Sequence, residues 1–232
     1  MTAKTGPEKP FIITVDGPSG SGKSTVCRRV AAQLKIGYID TGAMYRCVGW
    51  AVHRAGLDLK DEKGLEKLLS NLEIRFQPAN GENLVYCNGH DVTRAIRTPE
   101  IDRLASAVSA IGQVRRALLP LQRAAGRNAS AIIDGRDAGT VIFPEADLKI
   151  YLDANLETRA RRRLKDQANE SGIDLEKVRE AIRQRDRDDS SRAHAPLKMA
   201  ADAVRIDTTR LTIDEVCCRI IELARARGLQ HG

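Results

Sequence analysis

Hydrophobic positions along this chain fall into short unbroken runs and into longer stretches where they recur every three or four residues. Residues 11–15 (Phe11, Ile12, Ile13, Thr14, Val15) form an apolar, mostly β-branched run that stops at Asp16 and Gly17, the length and composition of a buried strand. Residues 131–134 and 148–152 read the same way, and 37–40 and 204–207 read as further short strands. Between them lie helical patterns. Residues 25–34 place Val26, Val30 and Leu34 on one face, and 44–55 end at Gly56. Further helices are expected over 61–70, over one stretch from about 99 to 126, and over 212–227. Strands alternating with helices predict an α/β domain with a parallel central sheet flanked by helices. Residues 72–76 and 83–87 depart from this, because they alternate apolar and polar positions. Turn signals at 78–81 and at Asn88 and Gly89 flank the second run, so a small antiparallel sheet is inserted among helices.

This organisation predicts one domain over 11–232 behind a flexible polar lead-in, 1–10. Its core covers about 11–60, 98–155 and 200–228, with the insert at about 61–97 and a lid at about 156–192. With 232 residues the chain can bury its own core. Aromatic residues are only 3%, which argues against base-stacking surfaces of the RNA-binding kind. The net charge of +7 favours a polyanionic partner, without separating RNA from a small nucleotide. No apolar run approaches the ~18 residues of a membrane span. The five cysteines (Cys27, Cys47, Cys87, Cys217, Cys218) are odd in number and lack C-x-x-C spacing, and no signal peptide precedes them. Reduced thiols in a cytoplasmic protein are expected, and the scattered His53, His90, His194 and His231 suggest no metal site.

The chemistry enters at Gly17, Pro18, Ser19, Gly20, Ser21, Gly22, Lys23 and Ser24, which satisfy the G-x-x-x-x-G-K-[ST] pattern between a strand and a helix. Glycines let successive backbone N–H groups turn toward phosphate oxygens, and the helix from Thr25 adds its positive end. Lys23 is placed to reach the β- and γ-phosphates of ATP, and the Ser24 hydroxyl to ligate Mg²⁺. A phosphate loop leaves open what receives the phosphoryl group. Asp40, Thr41 and Arg46 follow the second strand, and Asp134, Arg136 and Asp137 follow a later one. Parallel α/β sheets bind ligands at those strand ends. The most basic segment, 159–163, precedes a second run with Arg185, Asp189 and Arg192. Acidic residues interleave in that second run, so a nucleic-acid patch is poorly supported. Guanidinium forks suit phosphate instead. The polar break at 169–174 would let an arginine-bearing helical lid close over the site. Closure has a physical motive, because water in an open site is an alternative acceptor.

These motifs, taken together, resemble the bacterial cytidylate kinases. The resemblance rests on the phosphate loop, on Asp40, Thr41, Gly42, Ala43, Met44, Tyr45 and Arg46, and on Asp134 to Asp137 with Gly139, Thr140, Val141, Phe143 and Pro144. Arg185, Asp186, Asp189, Ser190 and Arg192 match too, as do residues 195–197 and 201–203. It covers about 11–226, including the insert. It implies transfer of the γ-phosphoryl group of Mg-ATP to CMP or dCMP in pyrimidine nucleotide metabolism, by a monomer that binds neither nucleic acid nor membrane. By the same resemblance Arg46, Arg136 and Arg192 grip the acceptor phosphate, and Arg185 and Asp189 hold its sugar. Ser106, Arg115 and Asp137 read the cytosine edge, with Thr41 nearby. Arg162 and Arg159 are lid arginines, and Asp134 organises Mg²⁺ through water. Lys23, Arg136, Arg162 and Arg192 form the implied catalytic set. Thr41 stands where some relatives have serine, and Ala138 where a larger apolar residue is frequent. Other small acceptors (UMP, AMP) define the competing enzyme reading, and a regulatory or RNA-stimulated ATPase the competing class.

Overall fold

The computed structural model describes residues 9–79, 82–166 and 174–229. Most of the lead-in, the tip of the expected turn at 80–81, the lid break at 169–173 and His231 lie outside these residues. Five strands form the central sheet: β1 (Ile12–Asp16), β2 (Gly37–Asp40), β6 (Ala131–Asp134), β7 (Leu148–Asp153) and β8 (Val204–Asp207). They lie in the order β2-β6-β1-β7-β8, every neighbouring pair parallel. The unbroken apolar runs follow from helices covering both faces. On one face Ile13, Val15, Ile132 and Ile150 pack with residues of α1 (Lys23–Leu34) and α8 (Ile213–Ala226). On the other, Ile12, Ala131 and Ile133 meet α2 (Thr41–Ala55), α4 (Pro99–Ser109) and α5 (Gly112–Ala125). No helix among the described residues is long and apolar enough to cross a membrane.

The insert begins with α3 (Glu62–Ser70). It continues as an antiparallel sheet of β3 (Ile74–Ala79), β4 (Glu82–Cys87) and β5 (His90–Asp91). The third strand was not evident from alternation, since two residues carry no period. Val85 and Cys87 bury against Ala43, Cys47 and Ile101 of α2 and α4. Asn83 Nδ2 donates to the Tyr38 carbonyl at 3.2 Å, tying the insert to β2. Two further helices, α6 (Leu156–Asp166) and α7 (Leu175–Ser191), share a small core of their own around Ala160, Val178 and Ile182.

The expected single helix over 99–126 is two. The chain breaks at Ala110 and Ile111, and Ile111 is extended (φ −83°, ψ 117°). The last turn of α4 is stabilised from outside: Arg115 Nη1 donates to the Ser109 carbonyl at 3.1 Å. At Gly112, the local signal of this break, a Cβ would lie 3.1 Å from His194 Nε2. Residues 138–142 add a single wide helical turn that the pattern did not announce.

Candidate active site

The phosphate loop leaves β1 at Gly17, where φ is +149° and a Cβ would sit 2.0 Å from the Leu152 carbonyl oxygen, so only glycine fits. Gly22 takes a left-handed conformation at the N-cap (φ 92°), and α1 starts at Lys23, two residues earlier than expected. The first unpaired N–H groups of α1 therefore open onto the loop. Lys23 is buried and lies across it, its Nζ donating to the Pro18 carbonyl at 2.8 Å and to Ser21 Oγ at 3.3 Å. Burial and the nearby positive charge of Arg136 pull its ammonium down to about 7. An incoming polyanion favours the charged form.

A cleft of about 610 Å³ runs from this loop across the carboxyl ends of β2 and β6. Ser19, Gly20, Gly22, Lys23, Ser24 and Thr25 line its donor end, while Gly17, Pro18 and Ser21 shape the loop without lining the cleft. Ser24 Oγ donates to Asp134 Oδ2 at 2.5 Å, and the Tyr38 hydroxyl donates to the same oxygen at 3.3 Å. Burial, and then repulsion from Asp40, raise the Asp134 carboxyl above its ordinary range. A hydroxyl beside a carboxylate that is costly to ionise suits a hard divalent cation, which takes one or two protein oxygens and keeps several waters. Asp40 caps α2, accepting the Ala43 N–H at 2.8 Å, and holds Arg46 Nη2 at 2.8 Å. Thr41 Oγ1 donates to the Asp134 carbonyl at 2.6 Å, so its hydroxyl braces β2 against β6.

The far end of the cleft is a network of ion pairs. Arg136 Nε donates to Asp189 Oδ2 at 2.8 Å. Arg192 lies 3.6 Å from both Asp189 and Asp137, and Arg115 pairs with Asp137. Burial works to raise the Asp189 carboxyl, but Arg136, Arg185 and Arg192 hold it below its ordinary value. At Asp137 the balance reverses: burial wins over Arg115 and Arg192, and the carboxyl is raised. Arg46 Nε, Arg185 Nε and Arg192 Nη2 are buried and have no hydrogen-bond partner among the described residues. Buried guanidinium donors left unpaired are costly, and an oxyanion would satisfy them. Ser106 lines the same end. Arg115 does not line the cleft; its guanidinium lies 5.5 Å over the Tyr45 ring and acts through Asp137.

The two expected lid arginines sit behind the phosphate loop, not over the cleft. Arg159 is buried and donates to the carbonyls of Ser19 (3.0 Å) and Ala154 (2.9 Å) and to Asp186 (2.6 Å). Arg162 donates to Thr208 Oγ1 at 2.9 Å and to its carbonyl at 2.7 Å, and Thr208 Oγ1 in turn bonds the Ser21 carbonyl at 3.3 Å. From α6 it is Arg163 that lines the cleft, paired with Asp102 of α4. Sequence reasoning did not single out Arg163, Asp102, Ser109 or Thr208. It also passed over Asp16, a buried carboxylate whose pKa burial pushes up to about 6. Ala138, noted for its small size, is fully buried beneath Asp137.

The sequence model of the cytidylate kinase family matches residues 13–226. A cytidylate kinase of Syntrophotalea carbinolica is 49% identical over 94% of this chain and 93% of its own length. One of Shouchella clausii is 44% identical over 96% of this chain and 99% of its own. Among solved structures, an uncharacterised protein from Eubacterium ventriosum superposes with a TM-score of 0.51 at 12% identity, covering 93% of this chain and 99% of that one; this likeness concerns the fold alone. With the phosphate loop, the parallel sheet and the arginine-lined second end in place, these matches show that the chain belongs to the cytidylate kinase family.

Proposed function

We propose that the protein transfers the γ-phosphoryl group of Mg-ATP to CMP or dCMP, yielding ADP and CDP or dCDP for pyrimidine nucleotide metabolism. The observation that carries this reading is the pair of anion sites in one cleft. The phosphate loop is at one end, and the buried donors of Arg46, Arg185 and Arg192 that lack a hydrogen bond are at the other. Two phosphates held in one cleft react with little covalent help, since the transfer needs alignment and charge neutralisation. The loop amides and Lys23 bind the donor phosphates. Arg46, Arg136 and Arg192 take the acceptor phosphate, and the arginines spread developing charge at the reacting oxygens. Arg185 and Asp189 face the sugar, while Asp137, oriented by Arg115, and Ser106 meet the base. Ser24 and Asp134 would hold Mg²⁺, which neutralises phosphate charge when bound. Arg159 and Arg162 support the loop from behind, and their approach to ATP requires α6 to move. In this reading the insert and the α6–α7 pair close over bound nucleotides and exclude water. The enzyme works as a cytoplasmic monomer.

A coupled assay of ADP production with CMP, dCMP, UMP, AMP and no acceptor tests the assignment. Turnover with CMP and dCMP well above AMP is expected. Equal or better turnover with AMP, or undiminished hydrolysis without acceptor, overturns it.

A further inference from the structure

The wide turn Ala138–Ile142 starts directly after Asp137. Like any helical turn it opens with backbone N–H groups that have no partner within it. An aspartate at the N-cap position ordinarily accepts those groups through its own side chain. Asp137 occupies that position (φ −142°, ψ 21°) and makes no such bond. Its carboxylate faces Arg115 and Arg192 instead. The capping oxygens come from another strand. Asp16, the last residue of β1, accepts the Ala138 N–H through Oδ1 and the Gly139 N–H through Oδ2, both at 2.8 Å. The fit is close on two sides. A Cβ on Gly135 would lie 3.3 Å from Asp16 Oδ1, and one on Gly139 would lie 2.8 Å from Thr14 Oγ1 and 3.3 Å from Asp16 Oδ2. The next residue after Asp16 is Gly17, where the phosphate loop begins.

We propose that Asp16 is a positioning residue of the acceptor site: it caps the turn in place of Asp137 and so leaves the Asp137 carboxylate free for Arg115, Arg192 and the substrate base. The inference rests on the CMP reading above. It also places Arg136 and Asp137 on a short bridge anchored at one end by β6 and at the other by the strand that carries the phosphate loop. In Asp16→Asn one oxygen still accepts an N–H, but the amide group sets a donor against the other. Asp137, already at the N-cap position, is then drawn into capping its own turn.

Steady-state kinetics of Asp16→Asn test this. The KM for CMP is expected to rise about tenfold, with the preference for CMP over AMP narrowed, as for loss of a hydrogen bond to a charged group. The KM for ATP is expected to stay within about twofold, and in an Asp137→Ala background the substitution adds no more than about twofold to the CMP effect, because coupled residues are non-additive. An unchanged KM for CMP overturns the proposal. So does an equal rise for ATP and CMP, or full additivity with Asp137→Ala. Wild-type enzyme is run first: failure to use CMP strikes the functional reading, and the clasp is then read from hydrogen exchange at the amides of Ala138 and Gly139. Exchange there must quicken in Asp16→Asn, and unchanged exchange overturns the clasp itself. If Asp16→Asn does not fold, Asp16→Ser carries the same measurements, and loss of fold in both leaves Asp16 a purely structural role.

Discussion

The two ends of the cleft are built by different means. The donor end is one contiguous loop that presents backbone N–H groups at the start of α1, with Lys23 as the added charge. The acceptor end is assembled from side chains on α2, α4, β6, the turn after it and α7, held by Arg136–Asp189, Arg192–Asp189 and Arg115–Asp137 pairs. A backbone site depends on local chain geometry and tolerates change around it. A site of buried charges is interdependent, because removing one partner leaves another uncompensated. On the proposed function, the donor end therefore supplies a general capacity for phosphate, and the acceptor end the choice of substrate.

One substitution in the phosphate loop separates the two ends most steeply. Lys23→Ala removes a charge aimed at the transferring group, so kcat is expected to fall by about 10²–10³-fold. CMP affinity, measured by calorimetry, should remain within about twofold, because the acceptor network does not use Lys23. A comparable loss of CMP affinity would erase the distinction between the ends.

Asp137→Ala is expected to do the opposite. It leaves Arg115 and Arg192 without their shared carboxylate, and kcat/KM for CMP should fall about ten- to a hundredfold, with ATP affinity retained. Discrimination between CMP and AMP measured on this variant is the sharper reading. If it equals that of the wild type, Asp137 does not read the base.

The smallest effect is a proton count. In the free enzyme the Lys23 pKa is lowered to about 7, so above that pH the side chain is mostly neutral. A bound polyphosphate favours the charged form, and ATP binding at about pH 8 should draw close to one proton from the buffer. The uptake should fade toward about pH 6, where Lys23 is already charged before binding. Calorimetry in buffers of different ionisation enthalpy measures it. Equal uptake in Lys23→Ala would place the titrating group elsewhere.

The difference between the ends also explains what could be read in advance. The phosphate loop was legible because its requirement is local: glycines for the turn, a lysine and a serine at fixed offsets. The five strands of the central sheet were legible for the same reason, since each is a short segment built around apolar residues. The acceptor residues came from motif resemblance, and the structure gathers most of them in one cleft. What the patterns did not reveal lies in contacts between distant positions. At the break at Ala110 and Ile111, Arg115 donates to the Ser109 carbonyl from the next helix. The placement of Arg162 depends on Thr208, 46 positions away, and that of Arg163 on Asp102, 61 positions away.

Asp16 marks the boundary between the two kinds of information. In sequence it is the residue at which an apolar strand stops, and nothing local gives it a task. In the folded chain its carboxylate meets the amides of Ala138 and Gly139, 122 and 123 positions later. The alternating strands and helices, the phosphate loop and the family pattern follow from the amino-acid order alone, because they are written in neighbouring residues. Which carboxylates face the cleft and which brace the backbone is settled in the folded chain. That choice depends on which buried donors each oxygen meets once the sheet has closed.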